Sequence, residues 1–253
     1  MKGDLVSAGL KAALKQSGCP ICRLRAESEQ RYIRMLLWES VNDPQTRDHF
    51  IAALGYCERH TWQVGLVENE QFGCPLGNAI MYEHLAGKVH SRLVAYALRM
   101  KWTRRPLWRR WLTLLWPWAR RRLSAAELRP QEPCRICQIG ERSERRHLGW
   151  LLQHLSRPES DLRALYLASD GLCLPHLRQG LALASLPVEA GARFLVEAAL
   201  HRLEVLQRDL SEFERKNAWD YRHEQKTVAE STAWLQALAF FGGTLPERRN
   251  SHD

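Results

Sequence analysis

Long apolar runs are missing from this chain. No stretch approaches the roughly 18 uncharged apolar residues that a membrane-spanning helix needs. The N-terminus also lacks the unbroken apolar core of a secretory signal, because Lys2, Asp4, Lys11 and Lys15 interrupt Leu5, Val6, Leu10 and Leu14; residues 1–16 read instead as an amphipathic helix. Nothing alternates with the period of a half-buried strand, so an all-α fold is expected. Catalytic signatures are missing too: there is no glycine-rich phosphate loop, no nucleophile elbow and no paired-carboxylate pattern. His84, His90, His147 and His154 have no HExxH-type spacing and read as surface or packing residues.

What the chain does contain is a repeated cysteine pattern. It has 253 residues, 45% of them apolar, enough for one large domain or two modest ones with a real core. Six of its seven cysteines fall into two sets. Cys19-Pro-Ile-Cys22 precedes Cys57-Glu-Arg-His60, and Cys134-Arg-Ile-Cys137 precedes Cys173-Leu-Pro-His176 at nearly the same interval. Between the motifs, Ser28-Glu29, Leu36-Leu37, Pro44 and Gly55 are matched in order by Ser143-Glu144, Leu151-Leu152, Pro158 and Gly171. An internal duplication is the simplest explanation.

Each copy reads as a helical hairpin. Leu24, Ile33, Leu36, Leu37 and Val41 share a helical face, Asn42-Asp43-Pro44 stops that helix and caps the next, and Gly55 ends the second. A first leg of about 19 residues covers roughly 28 Å. A return helix of about 11 covers roughly 16 Å, and three extended residues add about 10 Å. On that reckoning Cys57 returns beside Cys22, and the second copy closes on itself in the same way. Long helices are expected over 75–100 and from Pro187 to about Lys216, with a last helix over 227–241 ending at Gly242-Gly243.

A CxxC turn offers two thiolates and a CxxH offers a thiolate and an imidazole, which together fill a tetrahedron. The expected ligands are Cys19, Cys22, Cys57 and His60, then Cys134, Cys137, Cys173 and His176, holding two zinc ions per chain. Redox CxxC pairs are the first rival, but they sit in a βαβ setting and would leave the CxxH motifs without a role. An iron–sulfur cluster with one histidine ligand is the second, since spacing alone does not choose the metal. Four protein ligands leave no position for substrate, so the sites read as structural and no catalytic residue is assigned. Cys74, just before Pro75, reads as a small packed side chain, with a reactive thiolate as the alternative.

The net charge of +9 is concentrated in one place. Residues 99–122 carry nine bases and no acid, while the rest of the chain balances 28 bases against 28 acids. The same segment holds five of the ten tryptophans. Arg104, Arg105, Trp108, Arg109, Arg110, Trp111, Trp116 and Trp118 are the candidate partner-binding residues. Arginine beside tryptophan suits the headgroup boundary of an anionic membrane, a protein-docking surface, or single-stranded nucleic acid. A basic linker packed onto the body is the plainer reading. The leading expectation is a non-catalytic zinc-stabilised scaffold or adaptor, with no small-molecule substrate evident. An enzyme would need a pocket assembled from groups such as Glu39, Asp43, Asp220, Tyr221 and Arg222.

Several motifs resemble a family of uncharacterised bacterial proteins known as a domain of unknown function. They are Cys-Pro-Ile-Cys at 19–22, Val41-Asn42-Asp43-Pro44, Gly55-Tyr56-Cys57-Glu58-Arg59-His60-Thr61-Trp62, and Leu76-Gly77-Asn78-Ala79-Ile80. In the second half they are Gly171-Leu172-Cys173-Leu174-Pro175-His176-Leu177, Ser211 to Lys216, Asp220-Tyr221-Arg222 and Trp234 with Gly242-Gly243. The resemblance supports a helical, metal-bearing protein and brings no activity with it. The expected organisation is a first zinc unit over 1–100, a basic insert over 101–133, a second zinc unit over 134–243 and a flexible tail over 244–253. Cysteine usage points to a reducing compartment, hence the cytoplasm, with peripheral contact to the inner membrane as a further expectation.

Overall fold

The computed structural model describes residues 2–103, 128–184 and 188–243. Among them the fold is all-α, with no strand. Helix α1 is Lys2–Leu14, α2 Pro20–Met35, α3 Pro44–Ala52, α4 Glu58–Phe72 and α5 Leu76–Thr103. Then follow α6 Arg135–Leu155, α7 Asp161–Ala168, α8 Leu174–Ala182, α9 Glu189–Asn217 and α10 Val228–Gly242. A five-residue π-helical turn, Leu36–Ser40, extends α2. No described helix is long and apolar enough to cross a membrane.

The helix ends follow local chemistry. Asp43 caps α3 by accepting from the Thr46 N–H at 2.8 Å, with Pro44 in the first position, where its missing N–H costs nothing. Thr227 and Glu230 form a reciprocal capping box on α10. Glu68, buried on α4, accepts from the Gly77 and Asn78 backbone N–H groups and the Asn78 side chain, so a carboxylate satisfies the start of α5. Gly55 and Gly171, which close the loops before the CxxH motifs, have φ of +94° and +74°, a region that a side chain would strain.

The chain divides into two compact units, 1–29 with 140–253, and 30–139. The boundaries fall inside α2 and α6, so the units are not the two linear repeats. In the first unit, α10 packs on α9 and α8, and α1 on α7. Its core joins Leu10 and Leu14 of α1 and Ile21 and Leu24 of α2 to Leu148, Leu151, Leu152 and Leu155 of α6, Tyr166 of α7 and Leu195 of α9. In the second unit α3 and α4 pack on α5. Val41, Phe50, Met81 and Leu85 form one cluster there, and Ile33, Val64 and Ile136 another.

The self-closed hairpin does not form. The return helices α3 and α7 have only 9 and 8 residues, about 14 and 12 Å, whereas the outgoing α2 and α6 have 16 and 21, about 24 and 32 Å. The link to the first CxxH is not extended either. Leu54 and Gly55 both have positive φ, and the Gly55 N–H turns back to the Phe50 carbonyl at 2.8 Å. Neither CxxH is grouped with its own CxxC.

Candidate metal centres

Each metal-ligand group is built from the N-termini of two helices. Cys57 and Cys173 are the N-caps of α4 and α8, with nearly identical backbones (φ −67°, ψ 166° and φ −68°, ψ 160°). This places His60 and His176 in the third helical position, where the imidazole turns back toward its own cysteine. Cys19 and Cys134 immediately precede α2 and α6, and Cys22 and Cys137 lie in their first turns. The positive end of a helix macrodipole favours thiolate, so four helices present their favourable ends to the two sites.

The pairing runs across the repeats. In the first unit Cys19 and Cys22 meet Cys173 and His176; in the second Cys57 and His60 meet Cys134 and Cys137. The expectation that Cys19 to His60 and Cys134 to His176 would each enclose a site is thereby corrected. All eight predicted ligand residues are brought together, in exchanged sets.

In the first site the His176 Nδ1 lies 3.5, 3.4 and 3.1 Å from the Sγ atoms of Cys19, Cys22 and Cys173, and Cys22 Sγ lies 3.7 Å from Cys173 Sγ. In the second, the His60 Nδ1 lies 3.2, 3.6 and 3.3 Å from Cys57, Cys134 and Cys137, and Cys57 Sγ is 3.6 Å from Cys137 Sγ. A tetrahedron with thiolate bonds of about 2.3 Å and imidazole bonds of about 2.0 Å has edges of about 3.8 Å between sulfurs and about 3.5 Å between sulfur and nitrogen. The groups fit such an ion closely. A disulfide, at about 2.05 Å, is far shorter than either S···S distance.

As free thiols and imidazole, the groups titrate in mutual opposition. Contact with Cys173 and Cys22, then burial, pushes Cys19 far up, while Cys173 and Cys19 pull Cys22 far down. Burial works against a charged His176, yet Cys173, Cys22 and Glu144 raise it to about 11. In the second site burial opposes a Cys134 thiolate, but His60 and backbone N–H groups lower it to about 6, whereas burial and Cys57 push Cys137 up to about 12. A bound metal ion would replace these shared protons and let all three thiols ionise.

Beyond its ligands the first site has a charged support. His176 Nε2 donates to Glu144 Oε1 at 2.9 Å, and that oxygen also accepts from Arg25 Nη1 at 2.6 Å. Burial alone would raise the Glu144 carboxyl, but His176 and Arg25 hold it below its usual value. With Nε2–H committed to Glu144, Nδ1 is the nitrogen free to bind metal, the carboxylate–histidine arrangement of many metal sites. Arg25 also pairs with Glu29 at 2.7 Å, and Ser28 and Ser143, equivalent positions of the two repeats, hydrogen-bond to each other at 2.8 Å. Gly243 completes the surroundings: its φ is +84°, and a Cβ built there would lie 3.3 Å from Cys22 Sγ and 3.8 Å from Cys173 Sγ.

Sequence reasoning did not find these supports. Ser143-Glu144 and Gly242-Gly243 were visible only as repeat punctuation and a helix end, and nothing marked Arg25. Cys74 is exposed and not packed as expected, since it lies in the short turn between α4 and α5. His147 is buried against Ser143, and His154 stacks on Trp150 at 3.5 Å, so both are packing residues. Asp220, Tyr221 and Arg222 form an exposed turn after α9 in the first unit, with Arg222 over the Trp219 ring, whereas Glu39 and Asp43 belong to the second. The partner-binding candidates Arg104, Arg105, Trp108, Arg109, Arg110, Trp111, Trp116 and Trp118 lie outside the described residues, as does the tail 244–253.

Fold and sites together define a helical protein with two Cys3His groups able to hold metal ions. A family model matches residues 1–247, and the chain belongs to that family, the family of unknown function DUF6062. No curated protein and no solved structure matches it.

Proposed function

We propose that this protein is a zinc-stabilised helical scaffold whose task is binding and not catalysis. The observation that carries the reading is that each Cys3His group supplies four ligands at tetrahedral spacing from two helix N-termini, leaving no coordination position for water or substrate. Zinc is preferred to iron because thiolate and imidazole in a closed tetrahedron suit a redox-inert ion. Gene duplication accounts for the recurring order of CxxC, long helix, short helix and CxxH, and a reducing compartment such as the cytoplasm would keep the thiols available.

The basic segment 99–122 supplies the partner contact in this reading, through Arg104, Arg105, Arg109 and Arg110 and the neighbouring tryptophans. Its composition suits an anionic membrane surface, where cations meet phosphate and indoles sit at the boundary. Elemental analysis of protein made without added metal is expected to give about two zinc ions per chain. Iron with visible absorbance, or no metal, overturns the zinc assignment. Changing the four arginines to glutamine is expected to abolish salt-sensitive binding to anionic vesicles without lowering the melting temperature. Unchanged vesicle binding, binding to single-stranded RNA alone, or a variant that unfolds more readily contradicts the membrane reading.

A further inference from the structure

The second unit contains a cavity of about 350 Å³, within the size range of small-molecule sites. Its floor is apolar: Leu36, Phe50 and Met81 are buried, and the Tyr56 and Phe50 rings meet edge to face at 4.8 Å. One wall is the π-helical turn Leu36–Ser40, a departure from α geometry that recurs at functional sites. The motif Val41-Asn42-Asp43-Pro44 and the pair Gly55-Tyr56, which metal binding leaves unexplained, also contribute lining residues.

The cavity contains a cation suited to a ligand. Arg135, at the start of α6, reaches the Tyr32 hydroxyl and donates to Gln138 Oε1 at 3.0 Å. Among the described residues no carboxylate pairs with it. A guanidinium has five N–H donors, so two contacts leave a fork available for a bidentate acceptor. Asp43, at the rim, does not fill that role. Its carboxylate caps α3 by accepting from the Thr46 N–H, and that bond holds it below its usual range.

We propose that this cavity binds a small organic monocarboxylate with an aromatic or branched apolar body, its carboxylate on Arg135 and its body over Phe50 and Tyr56. A monoanion fits better than a phosphate, because there is one unpaired guanidinium, the N-terminus of α3 is already taken by Asp43, and that same acid would repel a dianion. None of the lining residues is a ligand of either Cys3His group, so the site rests on the scaffold reading and extends it to a ligand-responsive one.

The test uses the full-length, zinc-loaded chain and calorimetric titration with phenylacetate, 4-methylpentanoate, the uncharged 2-phenylethanol and inorganic phosphate. The carboxylates are expected to bind at least about tenfold more tightly than 2-phenylethanol, the worth of one charge-assisted bidentate contact. Arg135→Gln is expected to erase that difference. Because Arg135 lies between two metal ligands, Ser40→Phe serves as a second variant: it fills the cavity from the π-helical wall and is expected to abolish binding with the metal content unchanged. Saturable carboxylate binding that survives Ser40→Phe, phosphate binding more tightly than either carboxylate, equal affinity for 2-phenylethanol, or no carboxylate binding at millimolar concentration overturns the proposal.

Discussion

Glu144 joins two kinds of stabilisation in one side chain. It is almost fully buried, which disfavours its charge, yet it is held ionised between Arg25 and His176. The carboxylate thereby fixes the tautomer and orientation of an imidazole placed to bind a metal ion. Glu144→Gln keeps the shape but weakens the acceptor and the charge. Outer partners of this kind are worth about 10- to 100-fold in metal affinity. Chelator competition is expected to show a loss of that size at the Cys19 site and none at the Cys57 site; equal loss at both would contradict the assignment. The ligand types could be read from sequence because cysteine and histidine at two fixed spacings have few other uses. Glu144 and Arg25 could not, because a charged residue on a helix is ordinarily solvated and only the tertiary fold turns these two inward.

At the scale of single elements, helix starts and the long helices α5, α9 and α10 were legible, and the return leg before Cys57 was not. Asp43-Pro44 and Thr227 with Glu230 mark their caps through local hydrogen bonding, which sequence records directly. The length of α3 is set by Leu54 and Gly55 curling the chain back, and an assumption of three extended residues there misplaced Cys57. The α10 capping box carries a pH signature. Lys216, first, and then the Thr227 N–H hold Glu230 below its usual value, with Lys216 Nζ at 2.9 and 2.8 Å from its two oxygens. A carboxyl lowered on folding contributes stability above its unfolded value, about 4.3, and loses it as pH falls through the folded value. Wild type is therefore expected to melt higher than Lys216→Met by a constant margin above about pH 5, with the margin narrowing below it. A margin that widens on acidification would contradict the pairing.

For the whole molecule, the consequence of the exchanged ligands is that neither repeat closes a metal site alone. Residues 19–22 are tied to 173–176, and 57–60 to 134–137, so each site links distant parts of the chain. Binding energy at a structural zinc site is folding energy, on the order of 10 kcal/mol in zinc-finger peptides. Removing one ligand is thus expected to loosen a unit built from both repeats, and not one hairpin. The repeat itself was legible in sequence, whereas its exchange was not, because spacing states which ligands exist and chain geometry decides which ones meet.

Cadmium substitution followed by cadmium NMR tests the exchange most directly. The protein should give two signals in the range of three-thiolate, one-imidazole sites, one per ion. Cys22→Ser and Cys173→Ser are expected to shift or abolish the same signal, and Cys57→Ser and Cys137→Ser the other. If Cys22→Ser and Cys57→Ser instead affected one signal together, each repeat would close its own site and the exchanged arrangement would be wrong.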